Sequence, residues 1–277
     1  MAIKVVTFGE IMLRLSTPNF ERFVQAKQFD INFGGGEANV AVSLANFGLE
    51  ASYVTRLPKN EIGQAALNEL RKYGVKTDYV LRGGERMGIY FLETGASQRA
   101  AKVIYDRSNS SIAEIAPGMV NWNEVFNGAK WFHVTGISPA LSATAAAATL
   151  EAVQAARANG LTVSCDLNYR KKLWTREQAQ QVMAQVMQHV DVAIANEEDA
   201  EMVFGIKAGE TNVEAGHLDI ARYQSVTEQL MKMFPALEQV AIALRERISA
   251  SDNIGPACCG TAKRFFKAAN TPFASKS

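Results

Sequence analysis

The chain has 277 residues, 48% of them apolar and 21% charged, with 29 basic against 28 acidic side chains and a net charge of +1. This is the composition of an ordinary globular protein, long enough for one large domain, and its charge balance gives no reason to expect a nucleic-acid or membrane partner. No stretch reaches the roughly 18 apolar residues a membrane span needs, and Cys165, Cys258 and Cys259 are too few for a disulfide framework. With no leader-like segment before the first strand-like run, a reducing cytoplasm is the expected compartment.

In chain order, Ile3 to Phe8 predicts a buried strand ending at Gly9. Glu10–Ser16 and part of Asn19–Asn32 predict strands of a different, half-exposed sheet. Phe33-Gly34-Gly35-Gly36-Glu37-Ala38-Asn39 is a glycine loop opening a helix that runs from Ala38 to Phe47 and stops at Gly48. Glycines let backbone approach a ligand closely, and a helix N-terminus offers free N–H groups and partial positive charge. The loop has neither the Lys-Ser/Thr ending of a P-loop nor the spacing of a dinucleotide fingerprint. It reads either as a plain tight turn or as a site where Asn39 and backbone amides hold a small polar ligand.

Ala51–Thr55 predicts a strand and Ile62–Tyr73 an amphipathic helix stopped at Gly74. Gly88–Thr94 and Lys102–Arg107 predict a hairpin around Gly95 that interrupts the strand–helix rhythm. With residues 10–33 it predicts a small separate sheet, placed as a lid over a ligand. From residue 130 the rhythm resumes. Strands are expected at Trp131–Val134, Leu161–Cys165, Asp191–Ala195 and Gln239–Leu244. Helices are expected at Ser142–Asn159, Thr175–His189, Asn196–Phe204 and His217–Phe234. Alternation of this kind predicts an α/β fold with a parallel sheet and ligands beyond the C-terminal strand ends.

Two segments sit at such strand ends. Asp166-Leu167-Asn168-Tyr169-Arg170 places an acid, an amide and an arginine at every second position. Arg170 offers a fork for a carboxylate or phosphate; the plainer reading is an Asp166–Arg170 ion pair that fixes the loop. Asn196-Glu197-Glu198-Asp199 reads equally as a helix cap or as ligands orienting water around Mg²⁺. On the hairpin, Tyr90, Tyr105 and Arg107 face either a ligand or one another, and Arg99 reads as a solvated turn residue. His133 is expected near the core, His189 at a helix end and His217 exposed.

As an ordered set these segments resemble the ribokinase-like sugar kinases of the phosphofructokinase-B family, in the branch of 2-keto-3-deoxygluconate kinases. The resemblance runs from about residue 3 to about residue 253. It rests on Gly34–Ala41, Gly88-Ile89-Tyr90, Tyr105-Asp106-Arg107, Asp166–Arg170 with Leu173-Trp174, Asn196–Glu201 and Ala243–Glu246. It implies an α/β/α sandwich with a β-lid, a homodimer through the lid, and ATP- and Mg²⁺-dependent phosphorylation of a sugar-acid hydroxyl. Gly34, Gly35, Gly36, Asn39, Tyr90, Tyr105, Arg107 and Arg170 would then bind substrate. Asn168 and Arg170 would meet the ATP phosphates, and Asn196 and Asp199 would hold magnesium through water; the family usually has Glu where Asp199 stands.

The family's later Gly-x-Gly-Asp segment, whose Asp is the base and whose amides form an anion hole, has no counterpart in these residues. Residues 254–277 show no clear helical or strand period and read as an atypical, truncated or frame-shifted tail after a domain spanning 1–253. Phosphotransfer is therefore expected to be impaired, with Asp252 a poor substitute for the missing base. The alternatives are a non-catalytic sugar-acid-binding remnant, or a kinase of a neutral sugar such as fructose or ribose, against which Arg107 and Arg170 argue.

Overall fold

The computed structural model describes residues 2–206, 220–243, 246–247, 252–254, 257–261, 264–267 and 272–274. His217, the start of the helix expected from it, and Leu244 lie outside the described residues.

The first strand, β1 (Lys4–Phe8), is the buried apolar run the sequence predicts. β2 (Met12–Ser16) and β3 (Asp30–Gly34) follow, then α1 (Gly36–Asn46), β4 (Glu50–Leu57) and α2 (Glu61–Lys72). The Asn60 side chain caps α2 by accepting from the Gly63 amide, and the chain leaves α2 through Gly74 at φ 80°. A short β5 (Val80–Arg82) that the sequence reading missed precedes the hairpin of β6 (Ile89–Glu93) and β7 (Lys102–Asp106).

The second half supplies α3 (Trp122–Phe126), β8 (Ala129–Thr135), α4 (Ala143–Ala158), β9 (Thr162–Asp166) and α5 (Arg176–Met187). Next come β10 (Val192–Ala195), α6 (Glu197–Phe204), α7 (Ile220–Met233) and β11 (Gln239–Ala243). Short strands β12 (Glu246–Arg247), β13 (Asp252–Ile254), β14 (Ala257–Thr261), β15 (Phe265–Lys267) and β16 (Pro272–Ala274) end the chain.

Among the described residues the large sheet has the order β15-β14-β11-β10-β9-β8-β1-β4-β5. All its pairings are parallel up to β11, whereas β14 and β15 join antiparallel. The tail is thus strand-forming: Ala257–Thr261 pairs with β11, although its sequence shows no apolar alternation that would announce a strand. Parallel pairs need crossovers, which α1 and α4–α7 provide, so every βα junction falls on one edge of the sheet.

Adjacent residues of β4 show the layering. Val54 belongs to a core with Phe8, Trp122, Phe126 and Phe132, while Ala51 and Tyr53 belong to a second core with Ala38, Ala66 and Leu70 of α1 and α2. Neighbouring strand residues point to opposite faces, so helices cover both sides of the sheet. The smaller sheet, ordered β3-β2-β6-β7, is the lid. Its middle pair β2–β6 is parallel and both outer pairs are antiparallel.

Candidate functional site

The glycine loop lies where lid, sheet and α1 meet. Gly35 caps α1 in extended geometry, and a Cβ there would stand 1.9 Å from the Glu10 carbonyl oxygen, so the segment after β1 passes too close for any side chain. A point one Cβ out from Gly34 is 3.5 Å from the Tyr90 hydroxyl and 3.9 Å from Asn39 Oδ1. The same point on Gly36 is 3.5 Å from Thr135 Cγ2 and 3.8 Å from Asn168 Nδ2. The loop is therefore walled by the lid on one side and by the ends of β8 and β9 on the other.

Beneath it lies an acid that the sequence reading gave no role. Glu37 is 1% exposed. Its Oε1 accepts from the Thr135 amide (3.2 Å), the Thr135 hydroxyl (2.8 Å) and the Ser138 hydroxyl (2.9 Å), and its Oε2 has no partner. Burial raises its pKa against the lowering effect of these donors. Glu10, likewise buried, pairs with Arg107 and lies 3.4 Å from the Ser110 hydroxyl; burial raises its pKa too, and Arg107 opposes that. Glu10 directly follows Gly9 at the end of β1, and that position past a central strand was the available signal.

Beyond β9 and β10 opens a cleft of about 1050 Å³. Arg107, Arg170, Lys171, Lys172 and Arg176 line it, against the acids Glu198 and Asp199. In a chain of net charge +1 this is a local excess of cations. Arg170 is exposed, and its Nη1 donates to the Tyr169 carbonyl at 3.2 Å. The alternative of an Asp166–Arg170 ion pair is not what forms: Asp166 Oδ1 accepts from the Asn168 amide at 3.1 Å, with Asn168 at φ 40°. Lys172 and Arg107 sit 5.5 and 5.4 Å from the Tyr105 ring centre.

At the start of α6 the capping arrangement is fully made. Asn196 Oδ1 accepts from the Asp199 amide at 2.7 Å and Asp199 Oδ2 from the Asn196 amide at 3.4 Å. Asp199 Oδ1 also accepts from the Tyr169 amide at 3.0 Å, tying the segment after β9 to α6. Burial pushes Asp166 up to about 7, helped by the neighbouring Asp199 charge, and burial raises Asp199 as well. Two desolvated acids in mutual repulsion, beside Asn196 and Glu198, form an oxygen donor set that suits a hard cation. Among the described residues no group of three or more His, Cys, Asp or Glu is placed to hold a metal ion.

The residues expected around one ligand are divided between two hollows. Gly34 and Asn39, with Asn32 and Ser43, line a smaller one of about 340 Å³. The Tyr90–Tyr105 pair, with ring centres 5.9 Å apart, bridges from it towards the cleft. Arg99 is a correction. It is not a solvated turn residue but a staple, donating to the carbonyls of Phe20 (2.7 Å) and Thr94 (3.1 Å) and pairing with Glu93 at 3.4 Å. His133 is buried, 2.9 Å from the Ser164 hydroxyl, and burial lowers its pKa to about 4.

Residues 2–230 match the family model described as "pfkB family carbohydrate kinase". The chain belongs to the pfkB family of carbohydrate kinases. Within it, the chain is similar to the crystal structure of 2-dehydro-3-deoxygluconokinase from Thermotoga maritima, with 46% identity and a TM-score of 0.91 over 98% of this chain and 81% of that one. It is 36% identical to a 2-dehydro-3-deoxygalactonokinase of Haloferax volcanii over 73% of this chain and 64% of the relative. It is 31% identical to a 2-dehydro-3-deoxygluconokinase of Bacillus subtilis over 63% of this chain and 54% of the relative. The chain thus spans between about half and two thirds of the length of these two curated relatives. As in the pfkB sugar kinases it resembles, a large mixed sheet carries a smaller lid sheet. Among its described residues no helix is long and apolar enough to cross a membrane.

Proposed function

We propose that this pfkB-family chain carries the sugar-acid site of an ATP-dependent kinase that phosphorylates 2-keto-3-deoxygluconate on its terminal hydroxyl. One observation carries the reading: the cation excess of the cleft formed by Arg107, Arg170, Lys171, Lys172 and Arg176. A neutral sugar gives such a surface nothing to neutralise, whereas a sugar acid and the ATP phosphates do. Gly34, Gly35, Gly36, Asn39, Tyr90 and Tyr105 take the sugar, Asn168 and Arg170 meet the phosphates, and Asn196 and Asp199 hold Mg²⁺ through water. Bound Mg²⁺ would supply neutralisation of phosphate charge. The protein's part is to orient the hydroxyl and exclude water.

The 277 residues contain no Gly-x-Gly-Asp. By themselves they are therefore expected to bind the acid yet transfer phosphate poorly, since no glycine-framed base meets the hydroxyl. A homodimer through the lid fits the exposure of Ile31 on the edge strand β3. The name of the Haloferax volcanii relative supports a second reading, the galacto epimer of the same keto acid.

The test is calorimetric binding of both keto acids and of fructose to the 277-residue chain, with ADP release measured in parallel from Mg²⁺-ATP. Tight binding of a keto acid with little ADP release is the expected result. Equal binding of fructose would overturn the acid reading, and rapid acid-dependent ADP release would overturn the loss of transfer.

A further inference from the structure

The chain passes between core and lid several times, and three of these passages meet at one carboxylate. Glu10 lies between β1 of the core and β2 of the lid, Gly88 directly precedes β6, and Arg107 directly follows β7. The Glu10 side chain is 2% exposed. A Cβ on Gly88 would stand 2.7 Å from Glu10 Oε1 and 3.2 Å from Arg107 Cβ, so the passage into β6 lies directly against the pair. Glu10 Oε1 also accepts from the Ser110 hydroxyl at 3.4 Å, and the Leu13 amide donates to the Gly88 carbonyl at 2.9 Å. Glu10 is thus enclosed by all three passages, a fixed point against which a neighbour can be aimed.

The neighbour it aims is Arg107. Arg107 Nη2 donates to Glu10 Oε2 in an ion pair, and among the described residues the guanidinium has no other acceptor. The rest of its fork is open to a ligand. Arg107 lines the cleft beside Tyr105, whose ring centre lies 5.4 Å from the guanidinium carbon. The other cations of the cleft, Arg170, Lys171, Lys172 and Arg176, are exposed. Among the described residues, Arg107 is the one of the five that is set on a buried acid. A flexible arginine gives up rotamer freedom when it grips an anion, whereas one already held in place does not.

We propose that Glu10 is a positioning residue: it holds one arm of the Arg107 fork and so presents the remainder to the carboxylate of the sugar acid. This deepens the sugar-acid reading above and rests on it. Glu10 itself does not touch the ligand. Two effects compete when its charge is removed. Lost orientation weakens acid binding, while the loss of a negative charge beside Arg107 raises the positive potential and strengthens it. Orientation wins here, because a nearly buried guanidinium that loses its carboxylate partner turns towards water rather than stay uncompensated.

The deciding experiment is calorimetry of 2-keto-3-deoxygluconate and fructose on the full 277-residue chain and on its Glu10→Gln, Glu10→Asp, Arg107→Met and Glu10→Gln/Arg107→Met variants, each checked by thermal melting. Glu10→Gln should weaken the acid about 3- to 10-fold and leave fructose unchanged. Glu10→Asp keeps the charge on a carboxylate one methylene short, and should fall between Glu10→Gln and the parent. In the Arg107→Met background, Glu10→Gln should change acid affinity no further, since no fork is left to aim. It should also restore part of the melting temperature that Arg107→Met loses by leaving Glu10 unpaired. If Glu10→Gln does not fold, Glu10→Asp decides, with a smaller acid-selective weakening expected. Acid binding by the deciding variant as tight as the parent's or tighter, an equal weakening of fructose, or the same acid weakening in the Arg107→Met background overturns the positioning role alone. A parent chain that binds no keto acid overturns the sugar-acid reading, and this assignment falls with it.

Discussion

Of the helices that begin with an acid in the first turn, α1, α5 and α6 behave in opposite ways. At the start of α5, Glu177 is exposed, and its pKa is lowered by its own backbone N–H and by the Thr175 hydroxyl. That is the direction helix-terminal donors and the dipole dictate. At the starts of α1 and α6, Glu37 and Asp199 meet the same kind of donors, yet both are raised because burial outweighs them. The local motif is shared and the surroundings decide. At α5 the acid is an ordinary cap on a wet surface, whereas at α1 and α6 the two acids are held dry beside the glycine loop and the cleft. A capping motif therefore says where a helix starts, and burial says whether the start is also part of a site.

The sharpest way to break this contrast is to remove the driest acid. Glu37→Ala strips acceptors from the Thr135 amide and from the Thr135 and Ser138 hydroxyls, all in the interior. Each orphaned buried donor costs on the order of 1–3 kcal/mol, partly offset because a buried carboxyl no longer needs to be kept. A net loss of about 3 kcal/mol is expected, read as a fall in the urea midpoint with an unchanged slope. Glu37→Gln, which retains an acceptor at Oε1, should lose much less. A Glu37→Ala chain as stable as its parent would mean that the acid is not what frames the loop.

A second test uses pH on the cleft side. The carboxyl of Asp166 ordinarily titrates at 3.8 and is pushed up to about 7 by burial and then by Asp199. Between these values the unfolded chain has released this proton and the folded chain still holds it. Stability from this group is therefore full below about pH 4 and is lost as pH rises to about 7, with a total of at most a few kcal/mol. His133 runs the other way: lowered to about 4, it contributes stability that is lost as pH falls from 6.5 to about 4. The informative quantity is thus a difference. Asp166→Asn should gain urea stability over its parent at about pH 8 and little at about pH 4, and an identical gain at both would mean that Asp166 is not held protonated.

What could be read in advance follows from what is local. The strand–helix alternation, the helix starts at Thr175 and Asn196 and the hairpin at β6–β7 depend on residues a few positions apart, and each was visible. Glu10 and Arg107 lie 97 residues apart, and Glu37 and Ser138 lie 101 apart. No periodicity links such pairs, so the partners of the buried acids beneath the loop were invisible until the sheet order placed β1 beside β8. The tail strands were missed because Ala257–Thr261 takes its order from β11 rather than from its own pattern.

The smallest effect belongs to the wet end of the comparison. Thr175→Ala removes the hydroxyl that accepts from the Gln178 amide, and with it half of the α5 capping box. A lost cap of this type costs about 1 kcal/mol. Since the α5 box is exposed and Thr175 does not line the cleft, the cost should appear in the urea midpoint and leave keto-acid affinity alone. Asn196→Ala removes the equivalent cap of α6, but Asn196 lines the cleft and its partner Asp199 also holds the Tyr169 amide. It should therefore lose a similar amount of stability and, in addition, weaken ligand binding by disturbing the Tyr169–Arg170 segment. Parallel stability losses with divergent affinities would show that one capping chemistry serves only the helix at α5 and serves the site as well at α6. Equal affinities would reduce both to caps.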